Sequence, residues 1–132
     1  MPLGHLGINV ADLPTAKRYY DALMPDLGYE PFLASDDEFA YRPAEGKVGT
    51  FLFFYPAIAD APYSSDASGL QHLAFMVSTR AAVDRVAELA VSLGSEILHE
   101  PQEWPQYPPP YYASFWRGPD GVMLEAVCHK HR

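Results

Sequence analysis

The chain has little that would crosslink it or carry it into a bilayer. Cys128 is its one cysteine among 132 residues, so no internal disulfide can form and a reduced, cytoplasmic setting is expected. No apolar run approaches the roughly 20 residues that cross a bilayer as a helix. Residues 1–4 lead directly into a candidate strand rather than into a signal peptide. We therefore expect no membrane partner.

Positive charge is also scarce. Nine Lys and Arg residues stand against 17 Asp and Glu residues, giving a formal net charge of −8 at pH 7. Nucleic acids and anionic membranes attract basic surfaces, so this balance argues against either as a partner. The sequence also has no glycine-rich phosphate loop and no nucleophile elbow.

What the sequence does contain is an internal repeat. His5 opens the segment His-Leu-Gly-Ile-Asn-Val, and His72, 67 residues later, opens His-Leu-Ala-Phe-Met-Val. An amphipathic stretch follows each segment and ends near a glycine. Because the offset is about half the chain, we predict one domain of two duplicated modules. The modules span about 1–56 and 69–132, with a linker at 57–68.

The local pattern predicts a βαβββ order in each module and hence an α+β fold. Apolar residues alternate after each histidine, as in a half-buried strand, and then recur with helical spacing. The later strands are predicted at 29–34, 38–43, 48–55, 95–100, 111–117 and 121–128. Proline-rich residues 101–110 are predicted to form a stiff loop, since proline lacks a backbone donor.

Three polar side chains interrupt these apolar strands. Glu125 lies in the middle of the last strand, where burial of a carboxylate is costly without a cation or donors. Together with His5 and His72 it makes a set suited to a divalent metal ion with open positions for a substrate. The alternative is that Glu125 pairs with an arginine and that the histidines are satisfied core residues. The residues alone leave both interpretations open.

The repeat, the chain length and the segment Gly118-Pro119-Asp120-Gly121-Val122-Met123-Leu124-Glu125 resemble the vicinal-oxygen-chelate superfamily. That group includes glyoxalase I, fosfomycin-resistance proteins, extradiol dioxygenases and bleomycin-resistance proteins. The resemblance implies a curved, cup-like mixed sheet, a homodimer and one divalent ion per subunit. By resemblance the metal ligands are His5, His72 and Glu125. The ion could be Zn, Ni, Mn or Fe, because two imidazoles and a carboxylate suit them all.

One departure from the resemblance bears on the reaction. Glyoxalase I carries a further acidic ligand near the end of the fourth strand, where this chain reads Thr50-Phe51-Leu52-Phe53-Phe54-Tyr55-Pro56. Without that carboxylate, glyoxalase I activity is not expected. The remaining set of two histidines and one glutamate resembles that of extradiol dioxygenases and fosfomycin-resistance enzymes. The acidic chain offers few cations for a phosphonate, so an extradiol-type dioxygenase, a lyase or a transferase remains open.

Further residues are candidates for contact with a substrate. Tyr112 is the candidate catalytic residue, and Tyr41 and His99 are further acid–base candidates. Asn9 or Gln71 could orient a ligand. The candidate substrate-binding residues are Asn9, Tyr41, Phe53, Tyr55, Trp104, Tyr111 and Arg117. For the aromatic members, packing over the sheet is the competing interpretation.

Two functions follow as hypotheses. The first is a metal-dependent enzyme that holds a small organic substrate through two adjacent oxygens. The second is a metal-free small-molecule binder of the bleomycin-resistance type. The two histidines and the glutamate favour the enzyme, since a pure binder has no need of them.

Overall fold

The protein is described here by a computed structural model, which covers residues 2–132. The chain divides into two compact units, one ending at Ala61 and the next beginning at Pro62. This division falls inside the predicted linker. Each unit has the predicted βαβββ order and forms its own mixed four-stranded sheet, which confirms the α+β fold class. That the two units make a single domain stays a prediction.

The first unit contains β1 (His5–Val10), α1 (Leu13–Leu23), β2 (Tyr29–Ala34), β3 (Phe39–Pro43) and β4 (Phe51–Pro56). Its sheet has the order β1-β4-β3-β2, with β1 and β4 parallel and the other pairs antiparallel. β4 is thus an inner strand. A short 3₁₀ turn, Ala44–Gly46, follows β3. Strand β4 then starts at residue 51, three residues later than predicted.

Helix α1 covers one face of this first sheet. Its apolar stripe, with Ala16, Tyr20 and Leu23 buried, packs inward as the helical spacing predicts. The Tyr20 ring lies 4.4 Å from the ring of Phe54 on β4. Alternation along β4 therefore directs Phe54 to the helix and Phe53 to the opposite face of the sheet.

The second unit contains β5 (Leu73–Met76), α2 (Arg80–Ser92), β6 (Ile97–Glu103), β7 (Tyr112–Arg117) and β8 (Met123–Cys128). The sheet order is β5-β8-β7-β6, with β5 and β8 parallel. Helix α2 begins after Thr79, whose hydroxyl accepts a hydrogen bond from the Ala82 backbone N–H at 3.1 Å. The buried stripe of α2 covers one face of the sheet.

Strand β6 corrects the predicted boundary of the proline-rich loop. The strand runs to Glu103 and includes Pro101, whereas the sequence predicted a loop from residue 101. β6 lies at the edge of its sheet, where a missing N–H need not remove a ladder hydrogen bond. The loop that remains is closed by a 2.9 Å hydrogen bond from the Trp104 N–H to the Tyr111 carbonyl. Within residues 2–132, no helix has the length and apolar character needed to cross a membrane.

Candidate metal and ligand site

Glu125 lies at the centre of the second sheet and is fully buried. It stands on β8 opposite Ala74 of β5 and Phe115 of β7. On the same strand, Cys128 pairs with Tyr112, whose hydroxyl bonds to Asp84 of helix α2. Residues at odd spacing along a strand face opposite sides. The Glu125 side chain therefore points to the face of the sheet that α2 does not cover, which we call the helix-free face.

The two carboxylate oxygens of Glu125 have different surroundings. The Tyr111 hydroxyl donates a 2.6 Å hydrogen bond to Oε2. Oε1 lies 3.1 Å from Nε2 of His72, yet it accepts no hydrogen bond of acceptable geometry from any described residue. Among the described residues its partners are a tyrosine and a histidine, so the alternative prediction of an arginine partner is wrong.

His72 is oriented by its neighbour in the chain. Its Nδ1 lies 2.7 Å from Oε1 of Gln71, one of the two residues suggested as an orienting group. Because an amide oxygen only accepts, Nδ1 must carry a proton. Nε2 is then the ring nitrogen on the side of Glu125, 3.1 Å from Oε1. A cation bound by both atoms would compensate the buried carboxylate oxygen.

Tyr111 is held as a donor to Glu125. Burial and the hydrogen bond to the Glu125 carboxylate raise the pKa of Tyr111 well above its usual value. Its hydroxyl therefore stays protonated across the physiological range. The sequence marked Tyr111 only as a substrate contact, because its bond to Glu125 depends on a loop conformation that no local pattern encodes.

His5, the third predicted ligand, belongs to the first unit. It opens β1, is exposed, and its ring lies 5.5 Å from that of Phe53. Across residues 2–132, no cluster of three or more His, Cys, Asp and Glu side chains is arranged to hold a metal ion. The second unit thus brings two of the three predicted ligands together, and the complete set stays a prediction.

An aromatic wall lies beside Glu125 on the helix-free face of the second sheet. The Phe115 ring is 5.9 Å from His72 and 5.2 Å from Trp104, and the Trp104 ring is 5.0 Å from His99. The Trp104 indole N–H donates a 3.1 Å hydrogen bond to the Ala113 carbonyl. Trp104 is therefore held in place on this face, and its role as a substrate contact stays a prediction. The sequence missed Phe115, whose place became visible only from the register of β7 with β8.

The structure places two of the predicted site residues, Tyr112 and Tyr41, away from Glu125, so their assignment to the site is corrected. Tyr112, the candidate catalytic residue, points to the helix-covered face and donates a 2.7 Å hydrogen bond to Asp84 of α2. Tyr41 is 1% exposed in the first unit and donates a 2.8 Å hydrogen bond to Asp21 of α1. Both hydroxyls fasten a helix to a sheet, so neither residue belongs to the candidate site.

The other candidate substrate-binding residues differ in whether their side chains are free to contact a substrate. Asn9 is exposed and pairs with Tyr55 across the β1–β4 ladder. The rings of Phe53 and Tyr55 are stacked 6.4 Å apart on the face of the first sheet that α1 does not cover. The Arg117 guanidinium instead donates a 2.9 Å hydrogen bond to the Gly121 carbonyl, inside the turn before β8. Part of its donor capacity is therefore used to hold that turn.

The fold agrees with the comparison to protein families. Residues 3–126 match the family model described as the Glyoxalase/Bleomycin resistance protein/Dioxygenase superfamily. The chain belongs to this superfamily. The uncharacterized protein YqjT of Bacillus subtilis (strain 168) is 24% identical over 127 residues, covering 94% of this chain and 96% of its own.

Solved structures of superfamily members resemble the chain over almost its full length. A proposed glyoxalase from Bacillus halodurans is 26% identical, with a TM-score of 0.78 over 96% of this chain and 94% of its own. A glyoxalase/bleomycin resistance protein from Albidiferax ferrireducens T118 is 22% identical, with a TM-score of 0.76 over 98% of this chain and 100% of its own. The superfamily includes glyoxalases and dioxygenases, and membership by itself specifies no single reaction.

Proposed function

We propose that this protein is a divalent-metal-dependent enzyme that acts on a small organic substrate through two adjacent oxygens. The observation that carries the proposal is the contact between His72 Nε2 and Glu125 Oε1. These two atoms lie 3.1 Å apart, and the buried oxygen accepts no hydrogen bond from any described residue. A buried carboxylate oxygen without a donor is costly unless a cation compensates it.

The spacing of the two atoms fits a shared ion. Ligand bonds of about 2.0–2.2 Å place two donors of one ion about 3 Å apart when they subtend a right angle. Gln71 fixes the His72 ring with Nε2 towards Glu125, as ligating histidines are commonly fixed by an acceptor on their other nitrogen. The third protein ligand in this proposal is His5, which the repeat predicts. The ion is Zn, Ni, Mn or Fe.

The chain's own residues would bind and orient the substrate. When bound, the ion would supply a Lewis acid that stabilises negative charge developing on the substrate oxygens. Phe115 and Trp104, whose rings meet edge to face, offer an apolar wall beside Glu125 that suits an apolar portion of the substrate and excludes water. An extradiol-type oxygenation, a lyase reaction or a transferase reaction is compatible with this set.

Metal analysis tests the proposal. Protein purified without chelator should contain about one divalent ion per subunit, and Glu125→Gln should lose it. Glu100→Gln is the matched control, because Glu100 is an exposed glutamate on β6 of the same sheet. Absence of stoichiometric metal from the native protein, together with no uptake of Zn, Ni, Mn or Fe, would refute the proposal.

The second candidate function is a metal-free small-molecule binder. The observation in its favour is that no group of three ligating side chains is assembled within residues 2–132. In that case His72 and Glu125 would be in contact with no ion between them. Ligand binding by the aromatic wall would then survive treatment with a chelator, whereas in the enzyme it would be lost with the metal.

A further inference from the structure

We infer that Tyr111 is a positioning residue that restricts Glu125 to a single metal-donor oxygen, Oε1. The inference rests on the proposed function, since it concerns how the ion would be held. A carboxylate can bind a cation through one oxygen or through both. In this chain the hydroxyl of Tyr111 already engages Oε2 at 2.6 Å, while Oε1 faces His72 Nε2.

The hydroxyl of Tyr111 is fixed from several directions. Its ring lies 4.8 Å from that of Tyr107 and 5.0 Å from that of His129. Its backbone carbonyl accepts the hydrogen bond from Trp104 that closes the loop before β7. Tyr111 therefore meets Glu125 as a pre-positioned donor, and an ion bound through both oxygens would have to compete with this charge-assisted hydrogen bond for Oε2.

The number of oxygens that Glu125 gives to the ion decides how many coordination positions remain for a substrate. A glutamate that binds through both oxygens fills two positions around an ion. With Oε2 held by Tyr111, Glu125 would fill one coordination position of the ion, which would leave a neighbouring position for the substrate. A substrate that chelates through two adjacent oxygens needs two such neighbouring positions. Tyr111 thus contributes to substrate binding through Glu125 rather than by touching the substrate.

The experiment compares Tyr111→Phe with Tyr112→Phe. Both remove one hydroxyl from neighbouring tyrosines, but only that of Tyr111 faces Glu125, since that of Tyr112 bonds to Asp84. Each protein is stripped of metal and titrated with Co²⁺. The titration measures the affinity for Co²⁺ and the visible absorption spectrum of the bound ion. We expect Tyr111→Phe to weaken Co²⁺ binding by about 10-fold or more. Its visible absorption should also weaken, as it does when coordination number rises.

Tyr112→Phe should keep both the affinity and the spectrum. In Tyr111→Phe the phenyl ring can keep the contacts with Tyr107 and His129, so this variant is expected to fold, as thermal unfolding would show. The infrared difference spectrum between Co²⁺-loaded and metal-free wild-type protein gives an independent check. The subtraction cancels the carboxylates that do not bind the ion, and one-oxygen binding separates the symmetric and asymmetric stretches widely. A wide separation supports the inference, and a narrow one overturns it whether or not the variant folds.

Failure of the inference is distinguishable from failure of the proposed function. If wild-type protein binds no Co²⁺, the metal-dependent function itself is refuted. If wild-type protein binds Co²⁺ and Tyr111→Phe matches it in affinity and spectrum, only the role of Tyr111 is refuted. Equal changes in both variants would show a general loss of sheet stability and would also overturn the inference.

Discussion

Tyr111 and Tyr112 are adjacent in the chain, but their hydroxyls lie on opposite sides of the second sheet. One donates to Glu125 and the other to Asp84 of α2. Tyr112 begins β7, whereas Tyr111 ends the loop before it, and the two hydroxyls reach opposite faces of the sheet. The first hydroxyl therefore lies beside Glu125, and the second fastens the helix to the sheet.

The histidines provide the sharpest test of the predicted ligand set. His72→Ala and His5→Ala should each reduce bound metal from about one ion per subunit to well below that level, because each removes a donor. His99→Ala is the control, since His99 is exposed on the same sheet as His72 and its ring packs against the rings of Trp104 and Phe115. Metal content by elemental analysis is the readout. Retention of wild-type affinity by His72→Ala would show that the ligand assignment is wrong.

Glyoxalase I activity should be absent or very weak in fully metallated protein. That isomerisation needs a positioned base to move a proton between adjacent carbons. β4 offers only apolar and aromatic side chains from Phe51 to Pro56, and none of them is a carboxylate that could serve as the base. A steady-state assay with methylglyoxal and glutathione measures this. Turnover in the normal enzymatic range would contradict this prediction and support a glyoxalase I function.

Alkaline pH should destabilise the second unit through Tyr112. Burial and the hydrogen bond to Asp84 raise the pKa of Tyr112 to about 12 from its usual 10. The folded protein thus keeps the proton after the unfolded chain has lost it. The stabilisation is complete below pH 10 and is lost as pH rises towards 12.

Denaturant unfolding of wild type and Tyr112→Phe over this pH range checks the prediction. The difference in unfolding free energy between them should shrink as pH rises from 10 to 12. The variant also removes the general effect of lysine ionisation from the comparison, because both proteins share it. A difference that does not change with pH would contradict the assigned pKa.

Gly49→Ala should destabilise the first unit by about 1–3 kcal/mol, the usual cost of overpacking. A Cβ at Gly49 would lie 2.8 Å from Cγ of Pro43, whose rigid, buried ring cannot swing away. Gly4→Ala is the control, because its Cβ would meet nothing within 4 Å. Thermal or denaturant unfolding measures both variants. Equal stability of the two would show that the contact with Pro43 is easily relieved.

The protein is expected to be a homodimer, as the superfamily resemblance implied. The sequence suggested residues 48–55 as the contact, but β4 is paired on both edges within its own sheet. Its ladder groups are therefore not free to pair with a second chain. Sedimentation at micromolar concentration should give twice the monomer mass of 14.7 kDa. A monomer alone at that concentration would rule out the dimer.

The sequence by itself determined the repeat, the order of the elements and the residues worth testing. Periodicity is local, so the stripes of α1 and α2 and the strand at residues 29–34 could be predicted from spacing alone. The cost of burying a carboxylate in an apolar strand singled out Glu125 in the same way. The observed ends of some strands differ from the predicted ends where prolines or turns lie close to a strand. Strand β6, for example, continues through Pro101.

The tertiary structure decided which side chains meet. That Tyr111 rather than Tyr112 reaches Glu125, and that Tyr41 lies under α1, depends on strand register and on the conformation of the loop that ends at Tyr111. A shift of one residue in register would exchange the two faces of every strand. Register is fixed by hydrogen bonds between segments distant in the chain, and no local pattern of residues records those bonds.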